Sequence, residues 1–445
     1  MSATRAVVVG AGIGGLAAAA ALARHVDDVV LLERDRLPEA PVARPGVPQG
    51  RHVHGLLGGG FDAFAQMLPG LAEALDDAGA VRFRVGLESR LELPGQAPFP
   101  LRDAGWDNFS MSRPLFEHVV RGLVRRHVRV RLRTGCRVHA LACGADGAAV
   151  SEVRFTDADG QPQRLAADLI VDASGRGALT LELLQALGLP APEEASIPVD
   201  IRYTCAVYAL SDRPRDWKVL MTRPDLSGNA RRAIMFPLEG GREWILGLGG
   251  VAGDSAPTDA EGFVAYARSL RTTTAHDAIR DATLRGEIVR FAFPQSQRRH
   301  FERLARFPRG LLPVADAICR INPSFGQGMS VAAQQAVLLD RLLGKGPADG
   351  ARLAGVAPPF FAALGGVLDT PWAAAAQDYG YAHLAPLRPP GFANQSRFLA
   401  ALQRLAAADA EIHRLMLEVS HLKRPASAYA EPGLAARIER EMQAR

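Results

Sequence analysis

Lysine is almost missing from this chain. Only Lys218, Lys345 and Lys423 occur, so 49 of the 52 basic residues are arginine. The skew reflects coding bias. The net charge of +5 is spread along the chain, and no basic block interleaves with aromatics, which argues against a nucleic-acid surface. Cysteine is scarce. Cys136, Cys143, Cys205 and Cys319 show no CxxC spacing, which excludes a disulfide framework and a zinc knuckle. Long apolar runs are missing beyond residue 23, since none reaches the roughly 18 to 20 residues of a membrane span. The first run, Ala6 to Ala23 after Arg5, has the look of a signal peptide, but its glycines fall at a nucleotide-binding spacing instead. A soluble, cytoplasmic protein is therefore expected, with no membrane span. Its 445 residues, 48% hydrophobic, exceed one simple core and call for roughly two or three lobes.

Glycine, by contrast, is concentrated. Gly10-Ala-Gly12-Ile-Gly14-Gly15 follows the apolar strand Ala6 to Val9. Gly10 permits the turn, Gly12 lets backbone approach a pyrophosphate, and Gly15 lets the following helix pack close to the strand. The helix N-terminus offers free N–H groups to phosphate oxygens. A second strand, Val29 to Leu32, ends in Glu33, an acid placed to accept hydrogen bonds from a ribose and to repel a 2′-phosphate.

A second glycine segment lies more than 300 residues on: Asp316-Ala-Ile-Cys-Arg-Ile-Asn322-Pro323-Ser-Phe325-Gly326-Gln327-Gly328-Met329. The run Leu311 to Ala315 reads as a buried strand, and Asp316 at its end is placed to accept from sugar-like hydroxyls. Gly326 and Gly328 let backbone approach a flat ring. Met329, Ala332, Ala333, Ala336 and Val337 mark a helix, whose N-terminus favours negative charge on that ring. One domain gripping both ends of a long dinucleotide predicts FAD.

The rest of the chain divides by pattern. Ser112, with Pro114, marks a helix start. Val128 to Leu132 reads as a strand, Val150 to Leu165 as a hairpin about Asp157 to Gly160, and Leu169 to Asp172 as a strand. Five strand-like runs between 201 and 293 predict a separate antiparallel sheet, whose Tyr203, Met235, Phe236, Phe291 and Phe293 are candidate pocket residues beside His54 and Phe325. The tail from Pro389 reads as helical and without chemistry. Arg51, His52 and His54, after a proline-rich loop, are the polar candidates near the ring. As a metal pair the two histidines lack a third ligand, so no metal is expected.

These segments together resemble the para-hydroxybenzoate-hydroxylase-like flavoprotein monooxygenases. GAGIGG, Glu33, Arg113, VDASG (171 to 175) and ADAICRINPSFGQGM (315 to 329) carry the resemblance over residues 1 to about 345. GVPQGRHVHGLL (46 to 57), the second glycine segment and Pro371-Trp372 are most similar to actinobacterial polyether-type flavin epoxidases. The resemblance implies an α/β fold: a Rossmann-like, glutathione-reductase-type FAD domain (1–75, 102–188, 294–345), an antiparallel β-sheet substrate domain (76–101, 189–293) and a helical C-terminal region (346–445). It implies FAD contacts from Arg34, Arg113, Val138, Asp172 and both glycine segments, and reacting-centre roles for Arg51, His52 and Pro323. It implies transfer of one oxygen atom of O2, by way of a flavin C4a-hydroperoxide, to a large apolar small molecule, by epoxidation or hydroxylation. Reducing equivalents would come from NAD(P)H, directly or through a separate flavin reductase. The usual Asp-Gly is here Asp172-Ala173, which questions direct use of NADPH. Other readings are an aromatic hydroxylase, an isoprenoid-type reductase, a flavin-scaffolded cyclase and a halogenase, the last lacking a lysine in the N-terminal half.

Overall fold

The computed structural model describes residues 3–144, 149–211, 214–226, 228–346 and 349–444. A parallel sheet forms its centre. Its strands are Arg5–Val9 (β1), Asp28–Glu33 (β2), Val130–Thr134 (β3), Leu169–Asp172 (β4) and Leu311–Pro313 (β5), in spatial order β5-β4-β1-β2-β3. Every neighbouring pair is parallel, and β1 and β4 are buried along almost their whole length, as a sheet covered on both faces requires. The strand expected from Val128 begins at Val130, because Val128 projects into solvent.

Strand alternation sorts the two faces. Val7, Val9, Val30 and Leu32 pack against an antiparallel layer formed by Arg137–Cys143, Val150–Thr156 and Pro162–Ala166. Ala6, Val8, Val29 and Leu31 face the helices Ile13–Leu22 (α1), Arg113–Arg125 (α2) and Gly328–Leu343 (α3). The α1 helix is a run of alanines buried from Gly15 to Leu22, and an all-apolar helix of small residues belongs in the middle of a core. Ser112 caps α2 through its Oγ on the Leu115 N–H at 3.2 Å, with Pro114 in the first turn.

The two glycine segments meet at the carboxyl ends of β1 and β5. A Cβ on Gly14 would stand 2.6 Å from the Ala315 Cβ, and one on Gly15 would stand 1.8 Å from the Gly10 carbonyl oxygen. Gly10 itself has φ +98. Ala315 adopts φ +54, a left-handed conformation that costs an L-residue roughly 1–2 kcal/mol. Its N–H is held by Gln335 Oε1 at 2.7 Å.

A second, six-stranded sheet runs Thr283–Phe293, Ile201–Ala209, Glu243–Val251, Arg232–Pro237, Val219–Thr222, Ser89–Glu92. It is antiparallel except for its last pair, which is parallel. Beyond it lie the helices Phe392–Ala408 (α4), Ala410–Ser420 (α5) and Pro432–Gln443 (α6). They share an apolar cluster with Leu93 and Phe99, so the C-terminal region folds back over the second sheet. Among the described residues, no helix is long and apolar enough to cross a membrane.

The Gly14–Ala315 and Gly15–Gly10 approaches predict a sharp asymmetry. A Cβ on Gly12 meets nothing within 4 Å, so Gly12→Ala is expected to melt within a few degrees of the parent. Gly15→Ala overpacks a turn with no room to yield and is expected to lose about 3 kcal/mol or more. Thermal unfolding of the two variants compares them directly; equal melting temperatures would remove the close-approach argument.

Candidate functional site

A groove opens where the two glycine segments meet. At Gly12 and Gly328 a side chain would point into open space, and both glycines start helices, α1 and α3. Their unpaired N–H groups therefore face the groove. Asp316 leaves its carboxylate open to solvent beside the Ala315 contact, with no hydrogen bond or ion pair among the described residues. Protein nonetheless crowds it enough for burial to raise its pKa, with Arg320 opposing. Gln327 keeps a buried Oε1 without a donor. A turn of φ +65 at Gly326 and the Asn322 side chain, which accepts from Ser324 N–H at 3.0 Å, hold this segment. Pro323 is exposed, and Met329 packs partly on the main core.

At the far end of the groove Glu33 is buried. It accepts the Ala11 N–H at 2.8 Å and the Asp35 N–H at 3.0 Å. Arg44 lies against it at 3.3 Å and against Asp35 at 2.7 Å. The Arg44 Nε also reaches Glu117 at 2.6 Å, and Glu117 pairs with Arg113 at 2.9 Å and more loosely with Arg121 at 4.0 Å. Burial tends to lower the Arg44 pKa, but Glu117 and Glu33 overcome it and the net shift is upward. For Arg113 burial outweighs Glu117 and the shift is downward. Arg44 and Glu117 had no assigned role in the sequence, because partners 73 residues apart leave no local pattern.

Asp172 is not open to a ligand. Its Oδ1 accepts Ser174 N–H and Oγ–H at 3.1 and 2.6 Å, and its Oδ2 accepts Thr180 N–H and Oγ1–H at 3.1 and 2.7 Å. Four donors fill the carboxylate, so it shapes the turn after β4. Val138 packs into the apolar layer under the sheet, and Arg34 is exposed.

Between the second sheet and the C-terminal helices lies a cavity of about 580 Å³, within the range that holds a drug-sized molecule. Arg232, Ile234 and Phe236 line it from one strand at every second residue; Val219, Met221 and Thr222 line it from the next, with Arg223 just past that strand's end. This two-residue period corrects the expectation that Met235 and Phe236 both face a pocket: adjacent strand residues point to opposite faces, and Met235 is buried with Leu220 and Leu248. Phe325 and Gln327 bring the second glycine segment to the cavity wall, and His54 brings the loop before Leu56. Tyr203 lies behind the wall. Its hydroxyl donates to Asn322 Oδ1 at 2.9 Å and contacts Ser324 Oγ. Phe293 stacks under Arg320, and Phe291 packs on His52.

The tail expected to carry no chemistry supplies Phe398, Leu402, His413, Leu417 and His421 to the same cavity. The cause is tertiary, since these helices turn back over a sheet formed 200 residues earlier in the chain. Arg51 is half exposed and pairs with Glu287 at 2.9 Å, away from the cavity. It lies in a 3₁₀ turn, Pro48–Arg51. His52 is buried against Cys205, its Nδ1 3.3 Å from Sγ, and burial, with Arg51 nearby, lowers its pKa to about 4.

The histidines at the cavity wall are neutral. Burial, then Arg113, lowers His54 to about 4; burial, then Lys423, does the same to His421. The His54 Nδ1 lies 2.9 Å from the His52 carbonyl. A carbonyl only accepts, so Nδ1 carries the proton and Nε2 is an acceptor. At His421 the Gly58 N–H donates to Nδ1 at 3.2 Å, so Nε2 carries the proton. His54 therefore offers the wall a neutral acceptor and His421 a neutral donor. Among the described residues, no cluster of three or more metal-ligating side chains forms.

The buried charge cluster about Glu117 yields a prediction. Glu117→Ala strands Arg113 in the interior, leaves Arg44 with only Glu33 and Asp35, and should cost about 3–5 kcal/mol, with Glu117→Gln costing less. Urea unfolding of the three proteins measures it. A loss under 1 kcal/mol for the alanine variant would show that other groups hold the arginines.

With this geometry in view, residues 6–182 match the sequence profile described as FAD dependent oxidoreductase. The chain is 31% identical over 356 residues to Protein Rv3254 of Mycobacterium tuberculosis, covering 76% of this chain and 72% of that protein. Its fold is similar to that of the flavin-dependent brominase Bmp2 (TM-score 0.68, 16% identity, 99% and 100% of the two chains). It is also similar to that of pqsL, a probable FAD-dependent monooxygenase from Pseudomonas aeruginosa (TM-score 0.60, 18% identity, 86% and 99%).

Proposed function

Because the chain belongs to the FAD dependent oxidoreductase family, we propose that it is a flavin monooxygenase that inserts one oxygen atom into a large, mostly apolar small molecule held in the 580 Å³ cavity. The observation that carries this reading is the shared wall: Phe325 and Gln327 belong at once to the second glycine segment and to the cavity.

The residues present fit FAD. Gly12 and the α1 N-terminus suit the pyrophosphate, and Glu33 keeps acceptor capacity for a ribose. The open carboxylate of Asp316 suits the ribityl hydroxyls. Gln327, Gly328 and Met329 at the α3 N-terminus suit the ring, with Arg113 behind His54. FAD supplies the activation of O2, a reaction for which the protein needs no nucleophile of its own. The protein's share is to hold the substrate under the C-terminal helices, away from bulk water. His54 Nε2 is placed to accept a proton or hydrogen bond from a substrate hydroxyl, and His421 Nε2–H to donate one. None of the three lysines lines the cavity: Lys218 pairs with Glu88, Lys423 contacts Asp62, and Lys345 is exposed. That placement supports oxygen transfer to the substrate over halogenation, which in related flavin enzymes relies on a lysine between flavin and substrate.

Turnover under labelled O2 tests the reading. One labelled atom is expected in the product and the other in water. Product formed at full rate without oxygen would replace this reading with a reductase or a flavin-scaffolded cyclase.

The electrons, on this reading, arrive through a separate flavin reductase. Asp172, whose relatives help NADPH reduce flavin in the hydroxylases, has all its lone pairs occupied by Ser174 and Thr180. No second nucleotide fingerprint occurs in the sequence. In stopped-flow mixing with substrate present, NADPH alone is expected to bleach the flavin far more slowly than turnover with an added reductase. Bleaching by NADPH at the turnover rate would make the enzyme self-sufficient.

A further inference from the structure

The cavity is apolar along most of its length, but one end is not. Arg223 lines it with no side-chain hydrogen bond or ion pair among the described residues, although the residue as a whole is exposed. It follows the strand Val219–Thr222, whose Val219, Met221 and Thr222 also line the cavity. Arg232, on the neighbouring strand, also lines the cavity and is buried. Its Nη1 donates to Ser324 Oγ at 2.7 Å, and its guanidinium lies 5.3 Å from the Tyr381 ring centroid. Its Nε and Nη2 are buried without any acceptor.

An unmatched guanidinium nitrogen in the interior is costly, and two arginines side by side repel each other. Asp378 is a carboxylate whose charge acts on both. Neither arginine is within ion-pair distance of it among the described residues, and its Oδ2 is occupied by Asn322 Nδ2 at 2.9 Å. Two cations thus face one carboxylate that is already engaged. This contrasts with the Glu117 cluster, where every arginine has an acidic partner. The rest of the wall, polar at His54, Asn108, Gln377 and His421, carries no further Asp, Glu, Lys or Arg.

We propose that Arg223 and Arg232 form a subsite for an anionic carboxylate at one end of the substrate, whose apolar body extends under the C-terminal helices. The inference rests on the cavity being the substrate site, and it narrows the substrate from apolar to amphipathic: a hydrophobic skeleton ending in a carboxylate. Arginine suits that group because its planar fork matches two oxygens at once. Ser324, bonded to Arg232 and adjacent to Phe325, ties the subsite to the second glycine segment. A carboxylate held there fixes which part of the skeleton lies next to the flavin.

The test reads binding rather than turnover. FAD-loaded protein is titrated calorimetrically with decanoate, 4-phenylbutanoate and 1-naphthoate, each beside its primary amide. At least one carboxylate is expected to bind tenfold or more tightly than its amide. Arg223→Met should erase that preference without changing the amide affinity, the FAD content or the melting temperature, and Arg223→Lys should keep part of it. The wild-type comparison alone is decisive if the methionine variant does not fold. Equal affinities within all three pairs, or no saturable binding of any carboxylate at millimolar concentration, overturn the proposal. So does a preference that survives in Arg223→Met. Displacement of a bound carboxylate by bromide or inorganic phosphate at micromolar concentration would make this a small-anion site and overturn it too. Because no turnover is read, failed incorporation of labelled oxygen would leave this result standing, and equal affinities would leave oxygen transfer untouched.

Discussion

The structure depends on one close approach. The turn after β1 and the turn after β5 touch at Gly14 and Ala315, where one added methyl group would leave 2.6 Å between carbon atoms. That contact joins segments 300 residues apart and aligns the N-termini of α1 and α3 on one groove. It explains the composition of α1. Alanines from Ala17 to Ala21 let the helix lie against Ala332, Ala333 and Ala336 of α3, and larger side chains would push the helices apart. It also explains why Ala315 tolerates a left-handed backbone. The strain is offset by the Gln335 hydrogen bond and by the packing of its methyl group on Gly14.

Two groups of arginines show how the chain separates scaffold from binding. Around Glu117 the charges are mutually satisfied: Arg44 bridges Glu33, Asp35 and Glu117, and Arg113 answers Glu117 from the next turn of α2. Buried pairs of this kind seldom add net stability over a hydrophobic alternative, but breaking one is severe. Their effect here is to lock the loop after β2 to α2, and so to fix the walls of the groove near Glu33. At the cavity end, Arg223 and Arg232 lack that closure. A folded protein keeps unmatched buried donors where something else supplies the acceptor.

The sequence carried the parts of the fold that local rules govern. The strands Arg5–Val9 and Asp28–Glu33, the Ser112 cap and the helix after Gly328 were legible because turn glycines, a capping hydroxyl and a 3.6-residue period act over a few residues. The parity of Arg232–Pro237 was not, since Ile234, Met235 and Phe236 are all apolar and only the packed sheet decides which face the cavity. Arg51 was a polar candidate near the ring, but the 3₁₀ turn Pro48–Arg51 sends it to Glu287. His421 gave no signal at all. It acquires a role only because Gly58, 363 residues away, donates to its Nδ1.

The same argument accounts for the C-terminal helices. Without them, the cavity face of the second sheet, with Leu91, Met221, Ile234 and Phe236, would be an apolar patch in water, which monomeric proteins rarely leave open. The helices α4 and α5 cover it without filling it. The apolar faces that would pack a solid core instead hold Phe398, Leu402 and Leu417 at the rim of a space. A wall assembled from three distant stretches of chain can change its shape through the tail while the groove under Gly12 and Gly328 stays fixed. On the proposed reading, cofactor and substrate recognition rest on separate parts of the chain, which meet at Ser324, Phe325 and Gln327 on the cavity wall.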